Sequence, residues 1–200
     1  MSAISAKDVK VLRDRTGAGM MDCKRALQET DGDTDAAVEL LRVQLGSKLG
    51  KLAGRAATEG TVQSYVHAGG KVGALVEVDC NTDFVARNEE FVGFARDVAM
   101  HIAASPATRY VSEAEIPQDD RDAELRVFEQ QAVDKPENVR AKIAEGKLRK
   151  WMEETVLLNQ PHVNGDRFDG KTIEQLRADM SAKTGENVVV RRFTRFAVGE

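Results

Sequence analysis

The hydrophobic period of this chain changes near residue 60, from the 3.6 of a helix to the 2 of a strand, and that change limits what it can fold into. Before the change, residues 5–45 read as three short helices. Ser5 fits the first N-cap, with Asp8 three residues on as a variant capping box. Val9 and Leu12 mark the buried face, and Gly17 offers a left-handed stop. The second helix follows the Met20–Met21 pair, with Cys23, Ala26 and Leu27 at helical spacing, and ends near Gly32. Asp33 fits as the cap of the third, which sets Ala37, Val38, Leu41 and Leu45 on one stripe. A module of about 40 residues is near the lower limit of independent stability. It reads as a docking unit.

Residues 46–60 hold four glycines, at 46, 50, 54 and 60, among small and basic residues. They read as a connector, partly helical, between a docking domain over 1–46 and a core over 61–200.

Beyond it, Val62 and Val66 alternate with Gln63, Tyr65 and His67, and a turn follows at Ala68-Gly69-Gly70. Val72, Ala74, Val76, Val78 and Cys80 then fall on one face, so the two runs predict a β-hairpin. A third strand, 188–197, lies at the far carboxyl end, and a long helical insertion separates it from the hairpin. Within the insertion, Phe91, Phe94, Ala95, Val98 and Ile102 form one apolar stripe. A second helix is predicted over 119–133. A third starts at Pro136 and turns Val139, Ile143, Ala144, Leu148, Trp151 and Met152 inward. A shorter helix opens at Thr172, with Gln175 completing a capping box, and closes at Gly185. The fold class is α+β: a three-helix module, then a small antiparallel sheet packed with helices.

Composition removes several function classes. With 42% hydrophobic and 31% charged residues the chain is too apolar for disorder. No apolar run approaches the roughly 20 residues that span a bilayer. The amino terminus lacks the plan of a secretory signal, and two cysteines make no disulfide framework. A cytoplasmic protein is the expectation. A net charge of −4 argues against direct nucleic-acid binding, which needs a surplus of Lys and Arg.

The candidate chemistries fail on spacing. Gly46–Lys51 has three residues between its glycines where a phosphate loop requires four, and Leu52 follows the lysine. Asp79, Asn81, Asp83 and Glu90 match positions of a calcium loop, but Phe84 stands where that loop needs glycine. Cys23 and Cys80 share apolar stripes and read as buried structural thiols. His67, His101 and His162 are dispersed without metal-site spacing. No catalytic residue, metal or cofactor is expected, and the chain reads as a non-enzyme.

One segment remains, Asn81 to Phe91, where the second strand exits. Thr82 or Asp83 fits as a cap for the helix that follows. The cap does not account for Phe84, whose ring either tucks under the helix or projects outward.

Four stretches carry a resemblance: LRDRTGAGMMDCKRAL at 12–27, TDFVA at 82–86, KPENVRAKIAEGKLRKW at 135–151 and GENVVVRRFTRFAVGE at 185–200. Taken in this order, they resemble the elongation factor Ts family, the guanine-nucleotide exchange factors of elongation factor Tu. The resemblance implies a ubiquitin-associated-like (UBA-like) amino-terminal domain and a core of antiparallel sheet and helices. It further implies that Arg13, Met20 and Met21 dock on the partner's GTP-binding domain. Thr82, Asp83, Phe84 and Val85 match the stretch associated with dislodging the partner's magnesium ion, with Asp83 and Phe84 foremost. The length resembles the short form of the family, which implies a homodimer and a 2:2 complex with elongation factor Tu. Leu52 departs from the family, standing where longer relatives often carry a basic residue. Two alternatives stay open: a non-exchange adaptor, and an RNA-associated protein using the strand around Arg191–Arg195.

Overall fold

The computed structural model describes residues 4–200. Met1, Ser2 and Ala3, which open the stretch read above against a secretory plan, lie outside the described residues. The chain packs as two compact units. One comprises the described part of Met1–Thr61 with Asp79–Phe91 and Arg177–Val189; the other comprises Val62–Val78, Val92–Leu176 and Val190–Glu200.

The first unit starts with α1 (Ala6–Thr16), α2 (Met20–Glu29) and α3 (Thr34–Ala53). Ser5 caps α1 in a reciprocal box with Asp8, and Gly17 ends it at φ 68°. Asp33 caps α3 by accepting from the N–H groups of Asp35 and Ala36. Val9, Leu12, Cys23, Ala26, Leu27, Ala37 and Leu41 form one buried cluster, at the 3.6-residue spacing that brings one face of each helix together. Leu45 is only half-buried.

The connector, read from the sequence as partly helical, is helical up to Ala53, α3 running through Gly46 and Gly50. Each helical glycine costs about 1 kcal/mol relative to alanine. Tertiary contacts offset that cost. Leu52 is 4% exposed, Lys48 donates to the carbonyl of Ala182, and the Asn187 amide donates to the carbonyls of Ala53 and Arg55. Leu52 therefore serves a core. The unit is completed by the one-turn α4 (Asp83–Ala86), the start of α5 (Glu89–Ala104) and most of α9 (Ile173–Thr184). Thr172 and Gln175 cap α9 reciprocally.

The second unit holds most of a three-stranded sheet of β1 (Glu59–Val66), β2 (Val72–Cys80) and β3 (Val189–Ala197), in the order β1-β2-β3. Ala74, Val76 and Val78 of β2 are buried together with Phe94, Ala95, Val98 and Ile102 of α5. Arg96 of α5 donates to Gln63 of β1, and Arg195 of β3 donates to the carbonyl of Ala103, so α5 crosses the inner face. α6 (Gln118–Gln130) packs against α7 (Glu137–Thr155) as a helical hairpin. Pro136 stands at the N-cap of α7, one residue ahead of its predicted place. Ala144 is buried, whereas Val139, in the first turn of α7 beside the connection to α6, is 40% exposed. The one-turn α8 (Gly165–Phe168) precedes α9.

β1 shows how period differs from orientation. Val62 and Val66 point to solvent, at 62% and 65% exposed. The inner positions are Thr61, Gln63 and Tyr65, each half-buried. Gln63 is held there by Arg96, and Tyr65 lies 3.1 Å from His67.

Candidate functional site

At the exit of β2 the backbone turns through Asn81 and Thr82 into α4. Thr82 is the cap: its hydroxyl accepts from the Val85 N–H at 3.4 Å. α4 lasts one turn before Arg87 and Asn88 break it, and Asn88 then accepts from the Glu90 N–H to open α5. The single helix predicted after Thr82 is therefore two. That break isolates Asp83–Ala86 as a short projecting turn. Ala86 is buried and Val85 half-buried, whereas Phe84 is 84% exposed. The ring projects outward, which settles the question the sequence left open. A phenyl ring in water is unfavourable by roughly what its burial would return, about 1.5–3 kcal/mol. Asp83 makes a 3.3 Å ion pair with Arg87, one turn along. Both groups are substantially exposed, so the pair is worth about 0–1 kcal/mol and is easily exchanged for another partner.

The turn is gripped from behind. Glu186 accepts from the N–H groups of Asn81 and Thr82 at 2.9 and 3.1 Å, and from the Thr82 hydroxyl at 2.6 Å. Asn81 accepts from the Asn187 N–H and donates to the carbonyl of Ala56. Cys80 lies beneath, its thiol donating to the Thr82 carbonyl. Burial first, and the nearby Glu186 carboxylate second, push that thiol up to about 11, so it stays protonated near neutrality. Sequence reasoning gave Asn81, Glu186 and Asn187 no role. The available signal was the Gly-Glu-Asn triplet directly before β3, polar residues where an apolar strand is about to begin.

The docking candidates sit on the helical module of the same unit. Arg13 is exposed on the last turn of α1. Met20 and Met21 open α2 and are 58% and 74% exposed. Gly17 and Gly19 bracket the short loop before them, so the helix begins with two flexible apolar side chains facing water. Thioethers of this kind adapt to irregular apolar surfaces.

The groups set aside on sequence grounds are engaged with protein partners. Glu90 pairs with Lys183 at 2.6 Å, and Asp79 is buried in β2. Cys23 is fully buried, and burial pushes its thiol up. His101 and His162 come together, with ring centroids 5.5 Å apart. Burial pushes both below their ordinary value. Among the described residues, no group of three or more His, Cys, Asp or Glu is placed to hold a metal ion, and no helix is long and apolar enough to cross a membrane.

Comparison with known proteins covers the whole chain. The family described as Elongation factor TS matches residues 46–200. An elongation factor Ts of Acaryochloris marina is 50% identical over 202 aligned residues, spanning 100% of this chain and 83% of the relative. That of Trichodesmium erythraeum is also 50% identical, over 100% of this chain and 91% of its own. The protein of the same name from Carboxydothermus hydrogenoformans is 47% identical, over 98% and 90%.

Proposed function

The chain belongs to the elongation factor Ts family of translation elongation factors, and from that premise we propose that it binds elongation factor Tu carrying GDP and speeds release of the nucleotide. It makes and breaks no covalent bond in doing so, and acts in the cytoplasm. The observation that carries the reading is Phe84, an exposed phenyl ring on a braced one-turn helix beside an acidic residue.

Exchange works through linkage. A factor that weakens GDP binding is itself weakened to the same degree when GDP rebinds. It must therefore hold the nucleotide-free partner more tightly than the loaded one. Residues 1–46 supply docking through Arg13, Met20 and Met21, and residues 61–200 supply exchange and self-association. Phe84, with Thr82 and Val85 shaping its turn, enters an apolar pocket of the partner and displaces elements near its phosphate site. Asp83 brings negative charge to the partner's magnesium shell. Loss of that ion removes the main neutraliser of the diphosphate.

Burying Phe84 supplies about 1.5–3 kcal/mol, or about one to two powers of ten in rate. Larger acceleration draws on docking energy from the rest of the interface. Binding is distributed and the trigger is local.

The chain acts as a homodimer in a 2:2 complex. The outer face of its sheet supports this. The bonds from His67 N–H to the Val72 carbonyl and from Val198 N–H to the Lys71 carbonyl set the registers. They place Val66, Gly73 and Phe196 in one row, with Phe196 70% exposed. Leu75 and Val62 extend the apolar patch, and Arg192 and Glu77 pair at its border. An apolar sheet face with charges of both signs at its edge suits a second copy of itself.

The test is displacement of a fluorescent GDP analogue from elongation factor Tu by excess GDP. A substoichiometric amount of the chain should accelerate the fluorescence decay and act repeatedly. Complex formation with an unchanged decay would instead indicate the non-exchange adaptor.

A further inference from the structure

The turn that presents Phe84 makes few interactions of its own. Its single helical turn has one cap bond, at 3.4 Å, and one exposed ion pair. A helix of this length is far below what holds itself together in water. Something outside the turn fixes it. Besides the Ala56 carbonyl, which accepts from the Asn81 side chain, the groups bonded to Asn81 and Thr82 from distant stretches come from residues 186 and 187, more than 100 positions away.

We propose that Glu186 is a positioning residue for exchange: its carboxylate clamps the Asn81–Thr82 backbone and the Thr82 hydroxyl so that Phe84 stays presented to the partner. This rests on the exchange reading above. The geometry leaves little freedom. One carboxylate oxygen takes two successive backbone N–H groups, and the other takes the Thr82 hydroxyl proton. Because that hydroxyl must donate to Glu186, its lone pairs face the Val85 N–H, which is the cap bond of α4. The clamp therefore sets the cap, and the cap sets the turn. Negative charge beside the amino end of the turn adds to the effect.

Glu186 is itself anchored. Gly185 ends α9 in the left-handed region at φ 71°, and its carbonyl accepts from Arg55. Asn187 is 7% exposed. Its backbone N–H reaches the Asn81 side chain, and its side-chain amide reaches the carbonyls of Ala53 and Arg55 at the end of α3. The turn, the end of the docking module's longest helix and the stretch before β3 thus share one polar knot inside one compact unit. Energy from docking then reaches the trigger through this fixed frame, with no moving part between them.

The experiment compares Glu186→Ala, Glu186→Gln and wild type in the nucleotide-release assay, each titrated against elongation factor Tu to separate maximal rate from half-saturation. Amide hydrogen exchange over residues 81–88 is followed in the free chains. Alanine removes all three acceptor contacts. We expect the maximal rate to fall at least about tenfold, the scale of losing a single charge-assisted hydrogen bond, with half-saturation nearly unchanged. Exchange over 81–88 rises, while the α1–α3 amides keep their protection. Glutamine retains an acceptor oxygen for the two N–H groups and an amide that can bond the Thr82 oxygen, so it restores most of the rate. A purely structural loss would raise half-saturation and loosen the helical module as well. If Glu186→Ala proves too unstable, Thr82→Val deletes the hydroxyl's contact with Glu186 together with the cap bond it sets, keeps the two backbone N–H contacts with Glu186, and is expected to give the same pattern. A full maximal rate, or unchanged exchange over 81–88, overturns the proposal. A wild-type chain that releases no nucleotide overturns the exchange reading instead, and amide exchange in the free chains still decides whether Glu186 clamps the turn.

Discussion

The imidazoles of His101 and His162 lie 5.5 Å apart between ring centroids, and both are buried. His101 Nδ1 accepts from the Val163 N–H, so its proton is on Nε2, facing Gln160 at 2.7 Å. His162 repeats the pattern, accepting from the Asn164 N–H and donating to the Asp97 carbonyl. Neither ring has a free nitrogen for a second proton. Together they pin residues 160–164 to α5.

This arrangement makes stability depend on pH in a known direction. Burial lowers both histidines; the bond to Gln160 raises His101 and Asp97 raises His162, while the charged form of the His162 ring lowers His101 and Arg167 lowers His162. Glu154 of α7 lines a pocket together with His101 and Gln160. Above the ordinary value of 6.5 both states are neutral, with no penalty. As pH falls below 6.5 the unfolded chain takes up protons that the folded chain refuses, so stability declines until the lowered folded values are passed. Two excluded protons give a slope of up to about 2.7 kcal/mol per pH unit. Urea unfolding at pH 7.5, 6.5 and 5.5 should show this loss, and His101→Gln should remove about half of it. A flat profile across that range would contradict the assignment.

The magnesium part of the mechanism has its own test. Asp83→Asn keeps the shape of the turn and removes its charge. In excess magnesium, release should slow by about tenfold relative to wild type, the scale of one charge-assisted interaction. With a chelator present the ion is already gone, and the two chains should act alike. A deficit that persists undiminished in chelator would assign Asp83 to docking.

Self-association through the outer sheet face predicts a defined loss. Phe196→Asp places a charge in the Val66–Gly73–Phe196 row, where burying an unpaired carboxylate costs several kcal/mol. Sedimentation should show a wild-type dimer and a monomeric variant with unchanged circular dichroism. A variant that stays dimeric would move the interface elsewhere.

Much of this structure was legible in the sequence, because local rules govern much of it. Ser5 with Asp8, Asp33, and Thr172 with Gln175 act as the caps their residue types indicate. The apolar stripe from Phe91 to Ile102 is buried as its spacing requires. The expectations diverge where long-range contacts decide. Propensity leaves the extent of helix after Gly46 and Gly50 undecided, and α3 continues to Ala53 because Leu52 is buried and Asn187 caps its far end. Alternation identifies β1 but not its orientation, since the half-buried Gln63 is bonded by Arg96 of α5, far away in sequence. At the candidate site, the projecting residues carry a local signature. Glu186 does not, because a contact across 104 positions leaves no periodic trace.

Phe84→Ala provides the most direct measurement. Release of a fluorescent GDP analogue from elongation factor Tu is followed by stopped flow across a titration of the variant. The maximal rate is predicted to fall by about one to two powers of ten, the value of burying one phenyl ring, while half-saturation shifts far less because docking rests on other residues. An unchanged maximal rate would contradict the claim that this exposed ring is the lever for nucleotide release.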